Sequence, residues 1–109
     1  MKAKQVTVTI ASGGTTSEAV RMDNYMLAGI ITPSALTGTA FTFTVSNTFA
    51  GTYVPVYDAN GNQVSVPAAV SRALGVSGAE ADALAPWPFV KIVSNAAEGA
   101  DRSVTLCFK

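Results

Sequence analysis

Residues 52–67 read TYVPVYDANGNQVSVP, two alternating runs joined by the five residues DANGN at 58–62. Alternation of apolar and polar residues has period two, the side-chain period of a half-buried strand. Asn60-Gly61 supplies the positive φ angles that a tight hairpin needs. The stretch therefore predicts a β-hairpin. Pro55 cannot donate to a sheet ladder, which places its strand at an edge or a bulge.

The same grammar runs outward in both directions. Residues 5–11, QVTVTIA, put Val6, Val8 and Ile10 on one face and Thr7 and Thr9 on the other. Residues 17–22 read as a short second strand or the start of one, and 26–32, MLAGIIT, as a strand buried on both faces and stopped by Pro33. The following loop carries Leu36 inward. Residues 40–46, AFTFTVS, alternate cleanly, with Phe41, Phe43 and Val45 together. After the hairpin come 89–94, FVKIVS, with Phe89 inward and Lys91 outward, and 102–108, RSVTLCF, the closing strand.

Only residues 68–84 lack strand grammar. Ala and Leu favour helix at 70–74 and 78–84, but Gly75, Ser77 and Gly78 cut the stretch into pieces too short to stand alone. It is expected to be a long crossover loop over one end of the fold. About eight short strands with turn signals between them predict an all-β, antiparallel, two-sheet β-sandwich of jelly-roll-like type. The 109 residues make one domain, with residues 1–5 expected as a flexible N-terminal arm.

Composition narrows the function. Net charge is zero and 13% of residues are charged, against roughly 25% in ordinary soluble domains. The seven Lys and Arg residues are scattered, so no phosphate-gripping patch forms and nucleic acid is not an expected partner. No run approaches the roughly 18 apolar residues of a membrane span. The N-terminus passes straight into alternation without an apolar core, which predicts a chain made and used without Sec export. Sparse charge lowers the cost of desolvating the surface and points to an oligomer or a permanently bound subunit.

Chemistry-bearing residues are scarce. There is no histidine and one cysteine, which removes the common zinc sites, Ser-His and Cys-His nucleophile pairs and histidine-ligated haem. Cys107 is expected as a buried small hydrophobe. The acids Glu18, Asp23, Asp58, Glu80, Asp82, Glu98 and Asp101 all fall in or beside turns. Asp58, Asn60 and Asn62 imitate the start of a calcium loop, but the acid that such a loop requires further on is missing, residues 64–69 holding no carboxylate, so the motif reads as a braced turn. Residues 12–15, SGGT, lack the Lys-Ser/Thr of a phosphate loop. An enzyme, a cofactor and a metal are all unexpected. Trp87 between two prolines, with Tyr53 or Tyr57, is the available sugar-stacking set, and core or subunit packing competes for each ring.

Five stretches together resemble a known group: VTIASGGTTSEAV at 8–20, LAGIITPSALTGTAFTFTVS at 27–46, VPVYDANGNQVSVPAAVSRAL at 54–74, WPFVKIVS at 87–94 and DRSVTLCFK at 101–109. Their order is similar to that of small tailed-phage virion proteins, specifically head decoration, or cement, proteins with jelly-roll-like folds. The resemblance implies binding to the major capsid protein on the outside of an assembled head, with the chain located on the virion surface. It supplies no catalytic residues. A neck, tail or fibre subunit and a carbohydrate-binding β-sandwich module remain open beside it. Contact with neighbours is expected from residues 1–5 and from the 68–84 crossover, with Tyr57, Leu84 and Trp87 as interface candidates.

Overall fold

The structure, a computed structural model, describes residues 3–109. Among the described residues nine strands and one helix follow in order: β1 (Lys4–Ile10), β2 (Val20–Arg21), β3 (Leu27–Ile31), β4 (Ala40–Ser46), β5 (Val54–Pro55), β6 (Ser65–Pro67), β7 (Ala73–Gly75), α1 (Gly78–Leu84), β8 (Phe89–Ser94) and β9 (Arg102–Phe108). They build a two-sheet antiparallel β-sandwich. One sheet runs β1-β9-β3-β7, and the other β2-β8-β4-β5 with β6 also paired to β4.

The pairing is nested. The first strand pairs with the last, β2 with β8, β3 with β7, and β4 with β5 and β6. A single long ribbon closed by the 58–62 turn has thus wrapped around itself, which is the jelly-roll arrangement. Two further pairings, β3 with β9 and β4 with β8, join the arms of the ribbon into sheets.

The core is what the alternation predicts. Val8, Ile10, Phe41, Phe43, Val90, Ile92, Val104 and Leu106 are buried between the sheets. Register explains why: Phe43 lies opposite Ile92, Val45 opposite Val90, and Val8 opposite Val104. At roughly 1.5–3 kcal/mol for each large side chain taken from water, this layer is the main stabilising term. Leu36 packs against it from its loop. At the hairpin, the Asp58 carboxylate accepts the Asn60 and Asn62 N–H groups at 2.9 and 3.0 Å, and Gly61 takes φ +80°. The braced-turn reading is correct, and Pro55 sits on an edge strand.

Several expectations are corrected. Residues 68–84 are not a loop: β7 pairs with β3, and α1 buries Ala81 and Leu84. The 70–74 piece is a turn leading into β7 rather than helix, because Leu74 finds the open edge of β3 opposite Ile30. Lys4 and Gln5 belong to β1, opposite Phe108 and Cys107, so the expected arm gives way to strand there; Met1 and Lys2 lie outside the described residues. Only Val20 and Arg21 of 17–22 form a strand. The β3 strand is not buried on both faces, since Ile31 is 45% exposed. Phe89 and Lys91 share a face, being two residues apart on β8, while Val90 and Ile92 point inward. Cys107 is half-buried on the outer face, opposite Gly29, because Leu106 and Phe108 take the inward positions.

Candidate functional site

The three interface candidates part company. Leu84 is fully buried, at 0% exposure. It is the inward anchor of α1, which retires it as a contact residue. Tyr57 is 56% exposed and lines a groove of about 270 Å³ with Asp58, Asn60, Ala79 and Asp82, between the hairpin and the helix. Trp87 is half-buried against the core and donates its indole N–H to the Ala83 carbonyl at 3.0 Å. It borders a second groove of about 350 Å³ with Arg21, Asp23, Asn24, Pro86 and Pro88. Ala83 connects the two, lining the Tyr57 groove while its carbonyl fixes Trp87.

In the second groove, Asp23 receives Lys4 Nζ at 2.9 Å and Arg21 Nε at 2.8 Å. The hydrogen bond from Lys4, aided by the charges of Lys4 and Arg21, holds the Asp23 carboxyl below its ordinary range. The Lys4 ammonium also lies 5.3 Å from the Tyr25 ring centre and 5.4 Å from that of Phe108.

The outer face of the five-stranded sheet carries an aromatic cluster that the sequence reading missed. Phe89 meets Phe49 edge-to-face, with ring centres 5.9 Å apart, and Phe49 is 65% exposed. Beside them the Lys91 ammonium sits 4.3 Å over the Tyr53 ring. The Tyr53 hydroxyl donates to the Phe49 carbonyl at 2.8 Å, and desolvation raises its pKa. The period-two rule, applied to Phe89 and Lys91 together, was the available signal. Phe49 belongs to a turn, where periodicity carries no information about neighbours.

The outer face of the four-stranded sheet is different in kind. Register turns Gln5, Thr7 and Thr9 of β1 outward beside Cys107, Thr105 and Ser103 of β9. Gly29 and Ile31 of β3 and Gly75 and Ala73 of β7 complete it. Not one of these ten carries a charge, although the chain holds seven acids and seven bases. The charges in these strands belong to the other face: Lys4 binds Asp23, and Arg102 binds Glu98. Glu18 stands only at the edge, accepting the Thr9 N–H at 3.0 Å.

Glu98, placed by the sequence reading in a simple turn, is 1% exposed. Its two oxygens accept from Thr37 N–H at 2.8 Å, Gly38 N–H at 2.9 Å, the Ser94 hydroxyl at 2.8 Å and Arg102 Nε at 3.0 Å. Burial alone would raise its pKa, but these four donors outweigh it and hold the carboxyl at about 2. With every donor supplied by the protein, this is a structural knot tying the loops at one end of the sandwich. Among the described residues, no group of three or more His, Cys, Asp or Glu is placed to hold a metal ion.

No protein-family model matches the chain, and no curated protein matches it. The fold does match a solved structure, that of the SPBc2 prophage-derived protein YomS. The TM-score is 0.56 over 99% of this chain and 95% of that one, at 10% sequence identity. The likeness is one of fold: the same β-sandwich, carried by a very different sequence.

Proposed function

We propose that this chain is a structural virion protein of a tailed phage, acting as a capsid decoration subunit that binds the major capsid protein and stabilises the assembled head. The observation that carries this reading is the charge-free outer face of the four-stranded sheet, where none of the ten outward strand residues is Lys, Arg, Asp or Glu. Such a face docks without stripping water from ions, so little of the contact energy is spent on desolvation. Four strands spaced about 4.8 Å apart and about 3.3 Å per residue along them give a plate of roughly 350 Å². One partner's share of a standard interface is about 800 Å². The plate is therefore one contact of several, as expected of a subunit straddling neighbouring capsid proteins. Exposed Phe49, packed on half-buried Phe89 on the opposite face, supplies a second, to capsid or to another copy in a homo-oligomer.

The shared fold of a prophage-derived protein supports a phage origin. The mechanism is mass action: a ligand that binds only the expanded shell stabilises that shell, with no catalysis and no cofactor. The chain would be made in the host cytoplasm and act on the capsid surface.

Cosedimentation of the purified protein with empty expanded heads, against unexpanded procapsids and isolated tails, tests the proposal. Saturable binding to expanded heads alone is expected, and its plateau gives the copy number. Binding to tails instead, or to no particle, would overturn the decoration role; tail binding would move the chain to a neck, tail or fibre position.

A further inference from the structure

The groove beside Trp87 has two walls of different chemistry. Asp23 and Asn24 form one; Pro86, Trp87 and Pro88 form the other. A backbone hydrogen bond, from Met22 N–H to the Pro88 carbonyl at 2.8 Å, ties the walls together. The polar wall is held in a costly conformation. Asp23 and Asn24 take φ +54° and +64°, successive left-handed residues without a glycine. Asp and Asn tolerate that region better than other side chains, but two in a row persist only where the surroundings impose them. Here a turn closed by Tyr25 N–H on the Met22 carbonyl at 2.9 Å does so, with the ion pairs of Asp23 to Lys4 and Arg21 beside it. The apolar wall is equally fixed. Prolines flank Trp87, and its indole N–H is spent on Ala83, so the ring offers the groove hydrocarbon surface rather than a donor.

We propose that this groove binds a neutral saccharide, with a pyranose ring against Trp87 and its hydroxyls on Asp23 and Asn24. A pyranose presents an apolar C–H face and a rim of hydroxyl donors, which matches an aromatic surface beside a planar acceptor. A carboxylate has about four acceptor positions. Lys4 and Arg21 occupy two on Asp23, leaving two for adjacent sugar hydroxyls. Lys4 and Arg21 are both engaged by Asp23, so the site presents a hydroxyl acceptor rather than a bare cation. A volume of about 350 Å³ suits a ligand at the small end of the usual range for such pockets. The proposal goes beyond the capsid-binding reading and does not depend on it. The groove lies off the charge-free sheet face, so a subunit seated by that face would still present it.

The chain has one tryptophan, and it lies in the groove, so intrinsic emission reports on the site directly. Titration of the full chain with maltotriose, cellotriose, chitotriose, galactobiose and mannotriose is expected to give a saturable change with at least one, at a Kd of about 1 mM. Asp23→Ala removes an exposed side chain and should weaken that binding tenfold or more while leaving far-UV circular dichroism unchanged. Asn24→Gly relieves a left-handed residue, keeps the fold and should weaken binding severalfold by removing its amide, which guards against an Asp23 variant that fails to fold. No saturable response to any of the five would overturn the proposal. So would binding untouched by both substitutions, or binding confined to an anionic control such as oligogalacturonate.

Discussion

Replacing Glu98 by Gln keeps the shape of a buried side chain and removes its charge, and the consequence follows from its four partners. Each carboxylate oxygen accepts two donors: Thr37 N–H and Arg102 on one, Gly38 N–H and the Ser94 hydroxyl on the other. The glutamine NH₂ must face one of these pairs. The least damaging choice sets it beside Ser94, whose hydroxyl can turn to accept, but the Gly38 N–H is then left facing a donor. An unsatisfied buried N–H costs about 1–3 kcal/mol. Arg102, whose side chain is 17% exposed, loses its counter-charge as well. Breaking a buried pair by removing one partner typically costs 3–5 kcal/mol.

The pKa gives an independent figure. A carboxyl held at about 2 rather than at its ordinary 4.5 is worth roughly 3 kcal/mol of stability when ionised. Because the folded-state pKa is the depressed one, that stability is complete above pH 4.5 and drains away as pH falls through 2. Urea unfolding of wild type and Glu98→Gln between pH 7 and pH 2 should therefore show a gap of about 3 kcal/mol at neutrality. The gap should narrow steadily below pH 4.5, because only wild type has this proton to gain. Titration of the other carboxylates is common to both proteins and cancels in the difference. A gap under about 1 kcal/mol at pH 7, or one that stays constant into acid, would refute the reasoning.

Four further substitutions are read by the same unfolding assay. Gly38→Ala places a methyl group against the Ser94 hydroxyl inside the Glu98 knot and should cost about 1–3 kcal/mol through forced repacking; full stability would mean that the loop is not held as described. Leu84→Ala should cost about 2–5 kcal/mol as a buried truncation, whereas Tyr57→Ala should fall within about 0.5 kcal/mol of wild type; similar losses from both would contradict their opposite burial. Asp58→Ala removes the acceptor of two turn N–H groups and should cost about 1 kcal/mol, with no response to calcium in either protein.

Period-two alternation made the sandwich legible. Residues 40–46, 89–94 and 102–108 become β4, β8 and β9 within those bounds, because each strand has a buried face that forbids a register slip. The jelly-roll order was legible in kind but not strand by strand. Which arm of a nested ribbon lands in which sheet is decided by long-range pairing, such as Ala73–Gly75 finding the edge of β3. A run as short as ALG has no period to read, and its Ala and Leu even argued for helix. The edge supplied what propensity did not.

The functional surface was less legible, for a related reason. Exposure of a loop residue depends on what folds over it. Leu84 looked available because residues 68–84 read as a loop, yet seven residues of helix are enough to turn it and Ala81 into the core. Asp23 and Asn24 read as an interruption between strands; only the fold brings Lys4, Arg21 and Trp87 around them. The charge-free sheet face stands between these extremes. Its residues were visible in the sequence as the polar half of each alternation, Thr7 and Thr9 in β1 and Ser103 and Thr105 in β9. Their lack of charge was visible too. What register adds is that they lie side by side, and a continuous uncharged plate is a property of the surface rather than of any strand. A single lysine at Thr7 or Thr105 would put an ammonium in the middle of that plate at little cost to folding. If the plate is a docking surface, Thr7→Lys should lower capsid binding while leaving the urea midpoint within error, and binding equal to wild type would free the face of that role.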